Sequence, residues 1–201
     1  MKWRISKERF LKKQEANNNI IDEQRKAYLA AQPDAIIDYC ERVLSGSKYS
    51  DDFPQEYDMD YRPDTKTLLL DYLLPFLEHI PRLKEVKHIA SKNELKESLI
   101  SESAHHSLFD SALYQIAIRT LRELFEVDIV KGIGAIALNG WVEAVDKGTG
   151  QEIKVCVLSA FVNRGEFEQI NLSQVDPKVC FKKHKGVAAT KLYGLTPIGC
   201  I

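Results

Sequence analysis

The 201-residue sequence lacks the cysteine pattern of a metal or disulfide protein and the long apolar run of a membrane protein. Its four cysteines are widely spaced, with no C-x-x-C pair and no histidine partner at metal-ligand spacing. The N-terminus is basic without an apolar run, and the most apolar stretch, 68–77, is interrupted by Asp71 and Pro75. We therefore expect reduced structural thiols, no bound metal or cofactor, no contact with membranes and a cytoplasmic location.

Local signatures of catalysis are also missing. The sequence contains no G-x-S-x-G motif, and no two histidines have the i,i+4 spacing of a helical zinc pair. His105 and His106 are adjacent, whereas His79, His88 and His184 are isolated, so we interpret all five as surface residues. These absences favour a chain without catalytic activity of its own, but the partners of a catalytic site need not be close in sequence.

The charge balance excludes a uniformly basic nucleic-acid binder. The chain has 28 Lys+Arg against 29 Asp+Glu, a net charge of -1, so any nucleic-acid role must depend on local patches. Residues 1–13 and 178–191 are basic, and residues 51–60 are acidic. Such runs are most often solvated surface, which remains the alternative for each of them.

The hydrophobic periodicity predicts two helices followed by strands. We expect an exposed helix over 6–31, with a break at 17–19, and an amphipathic helix from Pro33 to Ser45. Beyond this helix, large apolar residues alternate with aspartates, which predicts a β-hairpin over 57–72 with its turn at 62–65. A third strand is expected over 83–89.

Further helices and strands are expected in the second half. Ser91 with Glu94, and Ser107 with Asp110, have the spacing of capping boxes and predict two helix starts. Residues 131–162 predict two strands joined by a turn at 147–150, with Asn139-Gly140 as either a second turn or a bulge, and a short helix follows Asp176-Pro177.

This pattern predicts an α+β fold rather than alternating β-α-β units. We expect an antiparallel sheet of about five strands with helices packed on it and an N-terminal helical extension. The expected division is a helical segment over 1–48 and an α+β domain over 49–201, with residues 33–48 joining the same core.

One surface is typical of phosphate contact. The segment from Phe181 to Gly186 combines an aromatic side chain, a lysine cluster and a glycine. This combination suits contact with the phosphates of a nucleic acid without recognition of its bases. An exposed lysine-rich loop is the alternative. The predicted nucleic-acid-binding residues are Lys178, Lys182, Lys183, Lys185 and Lys191.

A second candidate is the trio Asp146, Glu152 and Lys154. Two carboxylates and a lysine on neighbouring strands can hold Mg²⁺ and activate water in a nuclease. Only five residues separate the two acids, however, and most of them form the predicted turn. The trio would thus lie at an exposed hairpin tip, where charged residues are common for solubility alone.

A series of short segments from about Pro33 onward, well separated along the chain, resembles one protein family in the same order. They include 61–66, 71–75, 83–87, 113–120, 123–126, 139–142, 146–150, 170–172, 175–178, 180–182, 185–187 and 195–198. On these segments, the sequence resembles the region that precedes the nuclease domain of bacterial Mrr-type restriction endonuclease-like proteins.

The resemblance implies a role in defence against foreign DNA, in which such proteins carry a metal-dependent nuclease domain after this region. The expected nuclease would begin after Ile201, so the resemblance transfers no catalytic residue to this chain. Our leading hypothesis is a non-catalytic accessory region that positions, oligomerises or regulates the nuclease. A protein-interaction module that uses the N-terminal helix and the acidic stretch 51–60 is the alternative, and a metal-dependent nuclease using the trio is the second.

Overall fold

The computed structural model describes residues 2–91, 93–146 and 148–201 of the chain. Five α-helices and seven strands occur in this described part, with short 3₁₀ turns at Leu77–His79, Leu172–Gln174 and Leu192–Gly194. In chain order they are α1 (Lys2–Leu29), α2 (Pro33–Ser45), β1 (Tyr57–Arg62), β2 (Thr67–Leu73), β3 (Leu83–Ile89), β4 (Glu94–Leu99), α3 (Glu102–Val127), β5 (Ala135–Val145), β6 (Glu152–Asn163), α4 (Arg164–Phe167), α5 (Pro177–Lys183) and β7 (Val187–Ala188).

The main sheet has five strands in the order β1-β2-β5-β6-β7. Neighbours are antiparallel except for β2 and β5, which pair in parallel. A parallel pair requires a long connection, and here β3, β4 and α3 lie between the two strands. The α+β class with a five-stranded, mostly antiparallel sheet is confirmed, while the parallel pair was not foreseen.

The third predicted strand exists but does not join the main sheet. β3 pairs only with β4 in a separate two-stranded hairpin within the described residues. The helix predicted from Ser91 and Glu94 is therefore wrong, because Glu94 begins β4. Asn93 adopts a left-handed φ of 50°, which reverses the chain before β4, and strand pairing replaces the local capping signal.

Two predictions about helix boundaries are also corrected. α3 begins at Glu102 because the Ser101 side chain accepts a hydrogen bond from the Ala104 backbone N–H at 3.2 Å. Ser107 is not a cap, since its hydroxyl donates to the Ser103 carbonyl inside the helix. α1 runs unbroken through residues 17–19, because asparagine has only a modest helix penalty.

The core lies between the inner face of the sheet and helices α2 and α3. α2 contributes Ile36, Cys40 and Leu44, and α3 contributes its long apolar face, including Phe109 and Leu121. Inward-facing residues alternate with exposed ones along β1, whereas β2 is buried at most positions. The two strands pair antiparallel along their length, so the hairpin prediction is confirmed.

The Asn139-Gly140 pair marks a β-bulge and not a turn. Gly140 pairs with Leu158 whereas Trp141 pairs with Cys156, so Val157 is the extra residue on β6. A side chain at position 140 would lie 2.5 Å from Leu74 and 2.7 Å from Leu158, which explains the glycine. The turn between β5 and β6 follows as predicted, although Lys147 within it lies outside the described residues.

Candidate nucleic-acid interface

The predicted lysines lie on α5 and on the segment after it. The Asp176 side chain begins the helix by accepting a hydrogen bond from the Val179 backbone N–H at 2.9 Å, and Pro177 occupies the first turn. Cys180 and Phe181 face the core and are almost fully buried. The lysines of this short helix consequently point away from the core.

All five predicted lysines are exposed. Lys182 and Lys183 occupy the last turn of α5, where the negative end of the helix dipole favours cations. Lys185 follows in a left-handed conformation with φ 57°. In the part of the chain that the structure describes, none of the five has a carboxylate within 4.0 Å, in contrast to Lys87 and Lys154.

The lysines form two groups with different surroundings. Lys178 lies 5.6 Å above the Tyr114 ring, and Lys191 lies 5.9 Å above the Tyr193 ring. Asp110 lies close to Lys178, and burial raises the pKa of its carboxyl while the positive charge of Lys178 opposes the rise. A carboxylate beside Lys178 weakens its attraction for phosphate, so Lys182, Lys183 and Lys185 form the better anion surface, called here the α5 lysine end.

The aromatic and glycine residues of the predicted phosphate segment have other roles. Phe181 is 1% exposed and packs edge-on against Tyr114 at 5.4 Å, so its ring is not available to a nucleic acid. A side chain at Gly186 would come within 2.3 Å of the Phe181 ring. The glycine therefore permits close packing, and the left-handed residue of this loop is Lys185 instead.

The prediction that all histidines are surface residues is wrong for two of them. His105 is buried, with Nε2 2.8 Å from the Ile80 carbonyl oxygen. His184, directly after α5, is 6% exposed and its Nε2 has no hydrogen-bond partner among the described residues. Burial lowers the pKa of His184, although Glu166, whose carboxylate is 3.8 Å from Nδ1, acts in the opposite direction.

The Asp146, Glu152 and Lys154 trio does not form a metal site in this arrangement. Asp146 accepts hydrogen bonds from the Thr149 backbone N–H at 2.8 Å and from its hydroxyl at 3.1 Å, so it stabilises the turn. These bonds lower the pKa of its carboxyl. Lys154 pairs instead with Glu143 at 3.4 Å. Across residues 2–91, 93–146 and 148–201, no three His, Cys, Asp or Glu side chains are grouped to hold a metal.

A polar row on the outer face of the sheet was not predicted. Asn139 donates to Asp71 at 2.9 Å and accepts from the Ser159 hydroxyl at 2.6 Å. The same amide contacts both the backbone N–H and the carbonyl of Ile201 at 3.3 Å. Its members come from three strands, so no local motif could reveal the row, which fastens the last residues of the chain to the sheet.

A comparison with family models, curated proteins and solved structures found no match to this chain. The described helices include none with the length and apolar character needed to cross a membrane.

Proposed function

We propose that this chain is a non-catalytic accessory region of a Mrr-type restriction endonuclease-like protein, which helps to hold DNA for a nuclease domain. The proposal depends on the sequence resemblance for the nuclease and on the α5 lysine end for the DNA. The observation that carries the second part is the group of three exposed lysines at 182, 183 and 185 without a carboxylate within 4.0 Å in the described chain. The proposed role is defence against foreign DNA.

The electrostatics of the α5 lysine end suit contact with a phosphate backbone. Lysine acts as a flexible point charge and gives little sequence information, so binding through these residues is non-specific. The inward-facing Phe181 and the absence of an exposed aromatic on α5 argue against stacking on bases. The expected contact is therefore positioning of a duplex rather than reading of its sequence.

Fluorescence anisotropy with a labelled DNA duplex at low salt tests this proposal. We expect weak binding whose logarithm falls with the logarithm of salt concentration at a slope of about 0.9 per contacted phosphate. The double variant Lys182→Ala/Lys183→Ala should reduce the slope by about 1 to 2. The matched control is Lys84→Ala/Lys96→Ala, which removes two exposed lysines from the β3–β4 hairpin with the same change in charge.

Two results would contradict the proposal. If no anisotropy change occurs at low salt, the chain does not contact DNA. If both double variants weaken binding equally, the effect comes from net charge and not from the α5 lysine end.

The second candidate is a protein-interaction module without DNA contact. The observation that favours it is α1, on which six large apolar side chains are exposed: Trp3, Phe10, Leu11, Ile20, Ile21 and Leu29. Light scattering on the purified chain separates the candidates, because a defined oligomer that is indifferent to DNA supports the second one.

A further inference from the structure

Helix α1 has a stripe with a heptad spacing that is exposed from Trp3 to Ile21. Positions that alternate by four and three residues lie on one face of a helix, and in α1 this face includes three large apolar side chains that are open to solvent. Their exposed fractions are 71% for Trp3, 63% for Phe10 and 58% for Ile21. The stripe residues are Trp3, Lys7, Phe10, Gln14, Asn17, Ile21, Gln24 and Tyr28.

Among the described side chains of α1, those near its end pack on the rest of the protein. Tyr28 is 6% exposed, its ring lies 4.2 Å from that of Tyr39 in α2, and its hydroxyl donates to Asp128. A 28-residue helix is roughly 42 Å long. Helices of this kind gain most of their stability from packing of one face, and most of α1 has no such packing within the described chain.

The stripe is symmetric about its middle. Its apolar members Trp3, Phe10, Ile21 and Tyr28 are separated by 7, 11 and 7 residues. When two such helices run antiparallel, Trp3 of one lies beside Tyr28 of the other, and Phe10 lies beside Ile21. An interface with two-fold symmetry requires this self-complementary pattern.

The polar members of the stripe match in the same register. Gln14 of one helix lies opposite Asn17 of the other, and Lys7 lies opposite Gln24. Paired amides at the centre of an apolar seam fix the register of a coiled coil at some cost in stability. The alternative parallel arrangement would place Lys7 against Lys7 and lose this matching.

Charge also favours the antiparallel direction. The first half of α1 carries Arg4, Lys7 and Arg9, whereas its second half balances Asp22 and Glu23 against Arg25 and Lys26. A cleft of about 290 Å³ between the end of α1 and α2 is lined by two aspartates and two arginines, so its charges balance. An antiparallel partner brings its basic half to this neutral region. A parallel partner would instead bring the two basic halves together.

We propose that α1 pairs with α1 of a second copy of this chain in an antiparallel, two-fold symmetric dimer. Trp3 of each copy lies at the cleft of the other, beside the Tyr28 and Tyr39 rings. This inference uses only α1, α2 and their charges, so it does not depend on the proposed contact with DNA.

Sedimentation equilibrium of the full chain tests the interface, and the helix offers a matched pair of variants. Ile21 lies in the stripe and is 58% exposed, whereas its neighbour Ile20 is 54% exposed and lies about 100° away around the helix. Ile21→Ser should raise the dimer dissociation constant about tenfold or more, because two such side chains leave the interface. Ile20→Ser should change it by no more than about twofold. A monomeric wild-type chain, or equal effects of the two variants, would overturn the proposal.

Cysteine cross-linking tests the direction of the helices. In a Cys200→Ser background, Gln14→Cys lies about 4.5 Å along the axis from its copy in an antiparallel pair and should form a disulfide-linked dimer under mild oxidation. Lys7→Cys lies about 25 Å along the axis from its copy and should not cross-link. Comparable cross-linking at both positions would show a parallel pair and reject the antiparallel dimer.

Discussion

Helix α1 and the segment from Asp128 to Ile133 meet at Tyr28, yet they are held in opposite ways. Among the α1 side chains that the structure describes, Tyr28 is buried, Gln24 and Ala27 are half-buried, and the others are exposed. Asp128, in contrast, is 4% exposed and accepts hydrogen bonds from Tyr28 at 3.1 Å and from the Ile133 backbone N–H at 2.8 Å. The rest of the chain, called here the body, is held by many buried contacts, whereas α1 extends from it with few contacts.

Arg164 completes a buried cluster of hydrogen bonds and an ion pair around Asp128, called here the Asp128 joint. Its guanidinium forms an ion pair with Asp128, and it donates to the Ile133 carbonyl at 2.7 Å and the Phe125 carbonyl at 2.8 Å. The joint thus ties the end of α3 to the start of β5 and the end of β6. Such a pair is costly to break, because the remaining charge stays buried without its partner.

The largest effect is expected from breaking this joint. Asp128→Asn should lower the free energy of unfolding by about 3 to 5 kcal/mol in urea denaturation. The control is Glu168→Gln, because Glu168 also pairs with Arg164, at 3.2 Å, but its side chain is 47% exposed. The control should cost less than about 1 kcal/mol. Similar losses for both variants would show that burial does not decide the strength of these pairs.

The second effect concerns packing in the body. Gly140→Ala places a methyl group within 2.5 Å of Leu74 and 2.7 Å of Leu158, so we expect a loss of about 1 to 3 kcal/mol from overpacking. Gly165→Ala is the control, because nothing lies within 4 Å of the added group. Equal unfolding midpoints for the two variants would contradict the close packing at the bulge.

A pH effect is expected from His184. Because burial lowers its pKa in the folded chain, protons bind more readily to the unfolded chain, and stability falls as the pH drops below the unfolded pKa of about 6.5. His184→Gln should remove this part of the pH dependence. Thermal unfolding of both proteins from pH 7.5 to pH 5 measures it, and parallel curves would show that His184 does not contribute.

The sequence predicts what is encoded locally. The amphipathic helix α2, the β1–β2 hairpin and α5 each depend on periodicity or on a capping residue within a few positions, and all three are confirmed. The parallel pairing of β2 with β5 depends on contacts between distant segments, which leave no local signal. The error at Ser91 has the same origin, since pairing between β3 and β4 decided the outcome.

The candidate nucleic-acid interface also has some features that a short sequence segment predicts and others that depend on contacts between distant residues. Lys182 and Lys183 lie in the last turn of a short helix and Lys185 lies two residues after its end, so their clustering follows from their closeness in the sequence. The burial of Phe181 against Tyr114 could not be predicted, because the two residues are far apart in the chain and meet only when α5 packs on α3.

The smallest effect is expected in α1. Asn19→Ala should stabilise the helix by roughly 0.5 kcal/mol, because alanine has the higher helix propensity. Most described residues of α1 before its last turn are exposed, so the free energy of unfolding of the body should change by less than about 0.5 kcal/mol. Hydrogen exchange distinguishes stabilisation of α1 from stabilisation of the body, because amides near residue 19 should gain protection while those of β5 and β6 stay unchanged. If protection rises equally in both regions, α1 unfolds together with the body and the contrast between them does not hold.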